Sequence, residues 1–178
     1  MVRDIPISIR AFSLVEVAIA VGILAFVIIS VVGLLGVGLK SNQVSVEETR
    51  AAAMLTMLEA DLRNTHSSLN GGKSSLFGLP LPYRSAPGGV TFDPAILAGS
   101  FFTTGVNDME MPVSLAAGRP RFQASVSYLE APGASGVKPM VARLVVNWPA
   151  TNTSSAADVS NPAKVRGSVE ALVSFPAP

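Results

Sequence analysis

The sequence contains no cysteine in 178 residues. That absence excludes a disulfide framework, a thiolate metal site and a cysteine nucleophile. Histidine occurs once, at His66, which excludes a histidine-rich metal centre. Charge is scarce: 14% of residues, with 13 Lys and Arg against 12 Asp and Glu and a net charge of +1. So even a balance provides no electrostatic footprint for DNA or RNA, and nucleic acid is not an expected partner. Aromatic residues make up 6%, with a single tryptophan, Trp148. Proline is nearly missing from the first part of the chain, where Pro6 is the only one of 13 before Pro80. What the chain has in excess is apolar side chains, 49% of residues with a mean hydropathy of +0.47, more than an ordinary soluble domain carries.

The apolar residues are concentrated. Residues 17 to 39 form 23 consecutive positions without a charge, and Lys40 ends the run. At about 1.5 Å of helical rise per residue this crosses a hydrocarbon core of about 30 Å. A cleavable secretory signal has a shorter apolar core of about 7 to 15 residues before a small-x-small site. Gly36-Val37-Gly38 fits such a site, but the run is too long for a signal of that kind. Arg3 and Arg10 outnumber Asp4 ahead of the run, which favours a cytoplasmic N-terminus with the bulk of the chain across the membrane.

Residues 41 to 64 contain neither proline nor glycine, so a helix can continue through them. Ala51, Leu55, Leu58 and Leu62, flanked by Val44 and Met54, recur at helical spacing. Glu47, Glu48, Arg50, Glu59, Asp61 and Arg63 are assigned to the other faces, and Glu59 and Arg63 make a favourable i, i+4 pair. From Asn70-Gly71-Gly72 onward the composition turns to glycine, proline and serine, the punctuation of a β domain. Three segments alternate as strands: 121 to 129, 140 to 148 and 168 to 175. Their apolar faces are Phe122, Ala124, Val126 and Tyr128; Ala142, Leu144, Val146 and Trp148; and Val169, Ala171, Val173 and Phe175. An antiparallel meander laid on the helical stripe buries both. Trp148 and Phe175 continue these faces and are expected in the core. Residues 76 to 115 read as a variable connection with two short strands. The polar, proline-bounded loop 149 to 161 is the expected partner contact.

The most informative residues lie where the leader meets the apolar run: Arg10-Ala11-Phe12-Ser13-Leu14-Val15-Glu16-Val17. A lone carboxylate, Glu16, at the head of a membrane helix needs an explanation, because a charge at mid-membrane depth costs about 2.5 to 3.5 kcal/mol on insertion scales. This stretch resembles the signal of type IV pilins and type II secretion pseudopilins, in which a short basic leader precedes a Phe-Thr/Ser-Leu-x-Glu start. The resemblance covers residues 11 to about 64, and the β domain in general plan. It implies an α+β, pilin-like fold: one long N-terminal α-helix, membrane-spanning in its first half, packed on a small antiparallel β-sheet. It also implies a leader over residues 1–11, a transmembrane and assembly segment over 12–39, an amphipathic helix over 40–66 and a β-rich periplasmic or extracellular domain over 67–178.

By the same resemblance a prepilin peptidase cuts between Ala11 and Phe12 and methylates the new amino group of Phe12. Most members have glycine before the cut where this chain has Ala11. Glu16 would then pair with the Phe12 amine of an adjacent subunit, since a charge in an apolar filament core needs a partner. Gly33, Gly36 and Gly38 either loosen the helix when it packs into a filament or, as is more common for glycine in membrane helices, allow close packing. The implied partners are the prepilin peptidase, other pilin-like subunits and inner-membrane lipid. No cofactor or small-molecule substrate is implied. The segment Val145-Val146-Asn147-Trp148-Pro149-Ala150 resembles the prepilin-like "Verru_Chthon cassette protein B" group, and the chain's size is similar to that of PilV-type minor pilins and minor pseudopilins. Major pilins often carry a C-terminal cysteine pair, which this chain lacks.

Signals for catalysis are weak. Gly72-Lys73-Ser74 matches only the end of a phosphate-binding loop, with Ser67 where its first glycine belongs and a helix in place of the preceding strand. No Gly-x-Ser-x-Gly elbow accompanies His66, which is expected to meet the carbonyls at the end of the helix. Asp93, Asp108 and Glu110 lack the dense oxygen spacing of a calcium loop and read as solvated loop carboxylates. The expected function is a non-enzymatic filament subunit. Two alternatives stand beside it: an unprocessed single-span anchor carrying a binding domain, and a secreted domain released after Gly38.

Overall fold

The structure is a computed structural model that describes residues 13–68, 70–116, 120–130, 138–151 and 155–176. One helix, α1, runs Leu14–Asn64. Seven strands follow: β1 Tyr83–Ala86, β2 Gly89–Phe92, β3 Phe101–Val106, β4 Pro112–Val113, β5 Phe122–Tyr128, β6 Met140–Trp148 and β7 Gly167–Phe175. The chain divides into two compact units, Met1–Val44 and Ser45–Pro178.

In the first unit every described residue is solvent-exposed, among them Leu14, Phe26, Ile29, Leu34 and Val37. An apolar helix surface without a protein partner is long and apolar enough to cross a bilayer. The chain thus fits a single-pass membrane-anchored protein.

The second unit is built on an antiparallel sheet in the order β4-β3-β5-β6-β7, with β1 and β2 forming a separate hairpin. The α+β layout expected from the sequence, one long helix packed on antiparallel strands, is what the structure has. The three strands that alternate clearly are present within a residue of their expected limits. Their apolar faces stand in cross-strand rows: Ala124, Val146 and Val169; Val126, Leu144 and Ala171; Tyr128, Ala142 and Val173. Against these rows pack Ala51, Met54, Leu58 and Leu62 of α1. Each of the larger side chains contributes about 1.5 to 3 kcal/mol by leaving water. Trp148 and Phe175 are buried, as their strand positions require.

Three expectations are corrected. Met54 belongs to the core and Leu55 is only partly buried, so the stripe advances by three, four and four from Ala51. Glu47 begins that same stripe and is buried, although a charge there argued for an outer face. Its carboxylate is accommodated because Arg121 meets it. The segment 76 to 115 holds four strands, and β3 is a full member of the main sheet, pairing with β5 from Phe101↔Ser127 to Val106↔Phe122. The run Phe-Phe-Thr-Thr-Gly-Val does not alternate, so β3 takes its strand character from β5.

The loop after β6 is packed as well. Thr151 donates both its N–H and its hydroxyl to Oε1 of Gln123, at 2.9 and 2.7 Å, and Arg143 donates to Ser160 Oγ at 3.1 Å. Gln123 and Arg143 lie on the outer face of the sheet, and Val145 between them is buried, as is Val159 of the loop. The described part of 149 to 161 is therefore bound to this protein's own sheet. Asn152, Thr153 and Ser154 lie outside the described residues.

Candidate functional site

Ala11 and Phe12, the expected cleavage and methylation positions, lie outside the described residues. Ser13 is the first described residue, and α1 starts immediately behind it. The Ser13 N–H donates to Oε2 of Glu16 at 3.1 Å, while the Val15 N–H donates to Ser13 Oγ at 3.3 Å. Ser13 O accepts from the N–H of Glu16 at 3.0 Å and of Val17 at 3.2 Å. This reciprocal arrangement is a capping box: serine at the cap and glutamate three residues on satisfy amides that the helix cannot. The negative charge of Glu16 also lies in the first turn, where the helix dipole favours it. The Ser13-x-x-Glu16 spacing is the sequence signature of this cap. The second oxygen of Glu16, Oε1, makes no hydrogen bond among the described residues.

A second polar constellation ties α1 to the sheet. Arg121 donates to Glu47 at 2.9 Å and to Asp108 at 2.9 Å, with its guanidinium 5.7 Å from the centroid of the Phe122 ring. The hydrogen bonds to Asp108 and then Glu47 push the Arg121 pKa up from its ordinary value. Asp108, expected as a solvated loop carboxylate, is 68% exposed and pairs with Arg121 from that exposed position. Glu47, Arg121, Trp148, Pro149 and Arg166 line a recess of about 270 Å³. Glu47 and Arg121 were not singled out from the sequence, because they lie 74 residues apart and only the packed fold brings them together.

At the far end of α1, Asp61 fastens the chain that leaves the helix. Its carboxylate accepts from the N–H of Leu76 at 3.0 Å and of Phe77 at 2.9 Å, and from the Thr65 hydroxyl at 3.1 Å. Burial opposes its ionisation, but the Phe77 amide, the Ser74 hydroxyl, the Leu76 amide and the Thr65 hydroxyl outweigh that and hold its pKa below the ordinary value. Among the described residues His66 makes no hydrogen bond to the terminal carbonyls of α1. Its Nδ1 is 2.7 Å from Ser68 Oγ and accepts the Ser68 N–H at 3.3 Å. Asp61 and His66 share an open recess of about 410 Å³, yet the lone pairs of Asp61 are occupied by the loop amides.

The remaining candidates are not brought together. Asp93 accepts the Ala95 N–H at 3.0 Å, and Glu110 holds a turn with φ 61°. Gly71, with φ 63°, belongs to a tight turn that no phosphate-binding strand precedes. Among the described residues no cluster of three His, Asp or Glu side chains is placed to hold a metal ion. No family model, curated protein or solved structure matches this chain.

Proposed function

We propose that the chain is a prepilin-like structural subunit, cleaved before Phe12 and drawn from the inner membrane into a pilus or pseudopilus filament by packing of its apolar helix against its neighbours. The observation that carries this reading is the helix start. α1 begins at Leu14, inside the signal-like stretch Phe12-Ser13-Leu14-Val15-Glu16, and the helix then runs through an exposed apolar segment into a β domain. A leader cut before Phe12 would leave a free amino group one residue from a capped helix. The two oxygens of Glu16 then divide the work: Oε1 accepts the Phe12 amine of the adjacent subunit while Oε2 keeps the cap. Pairing the two charges offsets the cost of burying either in an apolar filament core.

The role is architectural, with the prepilin peptidase as processing enzyme and further pilin-like subunits as partners. A single-span anchor that is never processed is the second reading, and the capping box favours it to this extent: Ser13 gives Glu16 a local role without any neighbour. The deciding measurement is the N-terminal peptide mass of the protein from membranes with and without active prepilin peptidase. A chain starting at methylated Phe12 only when the peptidase is present is the expected result. An intact leader in both samples would overturn the subunit reading and leave the anchor.

A further inference from the structure

The two ends of the β domain differ. At one end Glu47 of α1 meets Arg121, whose backbone N–H donates to Val106 O at 3.0 Å and whose guanidinium also holds Asp108. At the other, Arg63 lies 5.7 Å from the centroid of the Phe175 ring, and Tyr128 O accepts the Gly99 N–H. The turn 107–111 continues β3 beyond Val106, at the Glu47 end. Asn107 braces it: its Oδ1 accepts the N–H of Met109 at 2.9 Å and of Met111 at 3.0 Å, and its own N–H donates to Met111 O at 3.0 Å. On this braced turn Met109 is 83% exposed and Met111 57%. A single exposed apolar residue needs no explanation, but two long apolar side chains held outward on one fixed turn keep their hydration cost unless something apolar covers them.

We propose that this methionine turn inserts into the interface of the bilayer that anchors the chain. The tether selects that partner. The apolar run closes at Lys40, seven residues before Glu47, so even a fully extended chain separates the two by no more than about 25 Å. Two contacts of 2.9 Å then lead from Glu47 through Arg121 to Asp108, the residue before Met109. The methionines therefore belong to the end of the domain that the anchor holds nearest to lipid. The Phe175 end lies sixteen residues of α1 further on at Arg63, about 24 Å along the helix. Methionine is unbranched, flexible and polarisable, and it adapts to irregular apolar surroundings such as the boundary between headgroups and acyl chains. The contact is apolar and needs no anionic lipid. Because the anchor already confines the domain to the membrane surface, two side chains suffice where an untethered protein needs many. The contact depends on the anchor and not on cleavage before Phe12.

The absence of cysteine makes the test clean. Full-length Met109→Cys is labelled with a nitroxide and reconstituted singly into phosphatidylcholine vesicles. Its control is Leu97→Cys, 62% exposed at the opposite end, where Leu97 O accepts the Ser100 N–H. Collision of the label with oxygen, which concentrates in lipid, is compared with collision with a water-soluble nickel chelate. The oxygen-to-nickel ratio at position 109 should exceed that at 97 by at least about threefold, as a side chain below the headgroups requires. Adding Met111→Asp to the Met109→Cys chain should bring the ratio down to the control value. Equal ratios at the two positions, a raised ratio that Met111→Asp leaves unchanged, or a label shielded from both probes by protein would each overturn the assignment.

Discussion

Gly167 shows how much a single residue is constrained by its opposite number. It pairs with Trp148 across β6 and β7, and a Cβ at this position would lie 2.3 Å from Cζ2 of the indole. Trp148 cannot retreat freely, because Phe122 lies behind it with ring centroids 6.2 Å apart. Gly167→Ala should therefore destabilise the β domain by about 1 to 3 kcal/mol, the usual cost of overpacking. Thermal melting in detergent, followed through the fluorescence of the single tryptophan, reads this directly; an unchanged midpoint would contradict it. Nothing in the sequence around Gly167 announces the constraint, since glycine before a strand most often reads as turn punctuation. Trp148 was legible as core from its strand period, but its neighbour across the sheet was not.

At the scale of elements, α1 and the loop behind it are held together by Asp61. Its carboxyl pKa is held below the ordinary value of 3.8, so its ionised form is favoured in the folded state. The sign follows from linkage: the unfolded chain binds the proton more readily, and stability falls as the folded carboxyl is protonated. The contribution is fully present above 3.8 and is lost as pH drops through the lower folded value. Asp61→Asn should flatten this acid limb of the stability curve and lower stability at neutral pH, as urea titrations across a pH series would register. A variant whose acid limb matched the parent would place the latch elsewhere. The existence of α1 and of β5, β6 and β7 was legible because each has its own period, 3.6 or 2. β3 was not legible, because its strand state is imposed by pairing with β5. The buried place of Glu47 was hidden for a related reason: a charge marks a solvated face until a partner such as Arg121 removes the penalty.

For the whole molecule the question is which role Glu16 has in the proposed subunit. Its two roles separate in two substitutions. Glu16→Gln keeps an oxygen to accept the Ser13 N–H, as capping boxes allow, but loses the charge. Glu16→Ala loses both and should weaken the helix start by about 1 kcal/mol. If neighbour pairing governs assembly, both variants insert into membranes normally and both fail to enter filaments. If the cap is the whole role, the glutamine variant assembles like the parent. Co-fractionation of each variant with sheared filaments distinguishes the cases.

The sequence by itself determined the division into a helix with an oily first half and a β domain behind it. Those properties are local, set by hydrophobic run length, by helical and strand period, and by the places where proline and glycine occur. The same residues carried the signal-like start at Phe12 and Glu16 and the cap between Ser13 and Glu16. Only the tertiary structure decided that Arg121 reaches Glu47, that Asp61 grips Leu76 and Phe77, and that the loop after β6 packs on the outer face of the sheet. Each of these joins groups distant in the chain, and such groups meet only when burial of the shared core has compensated the entropy of bringing them together.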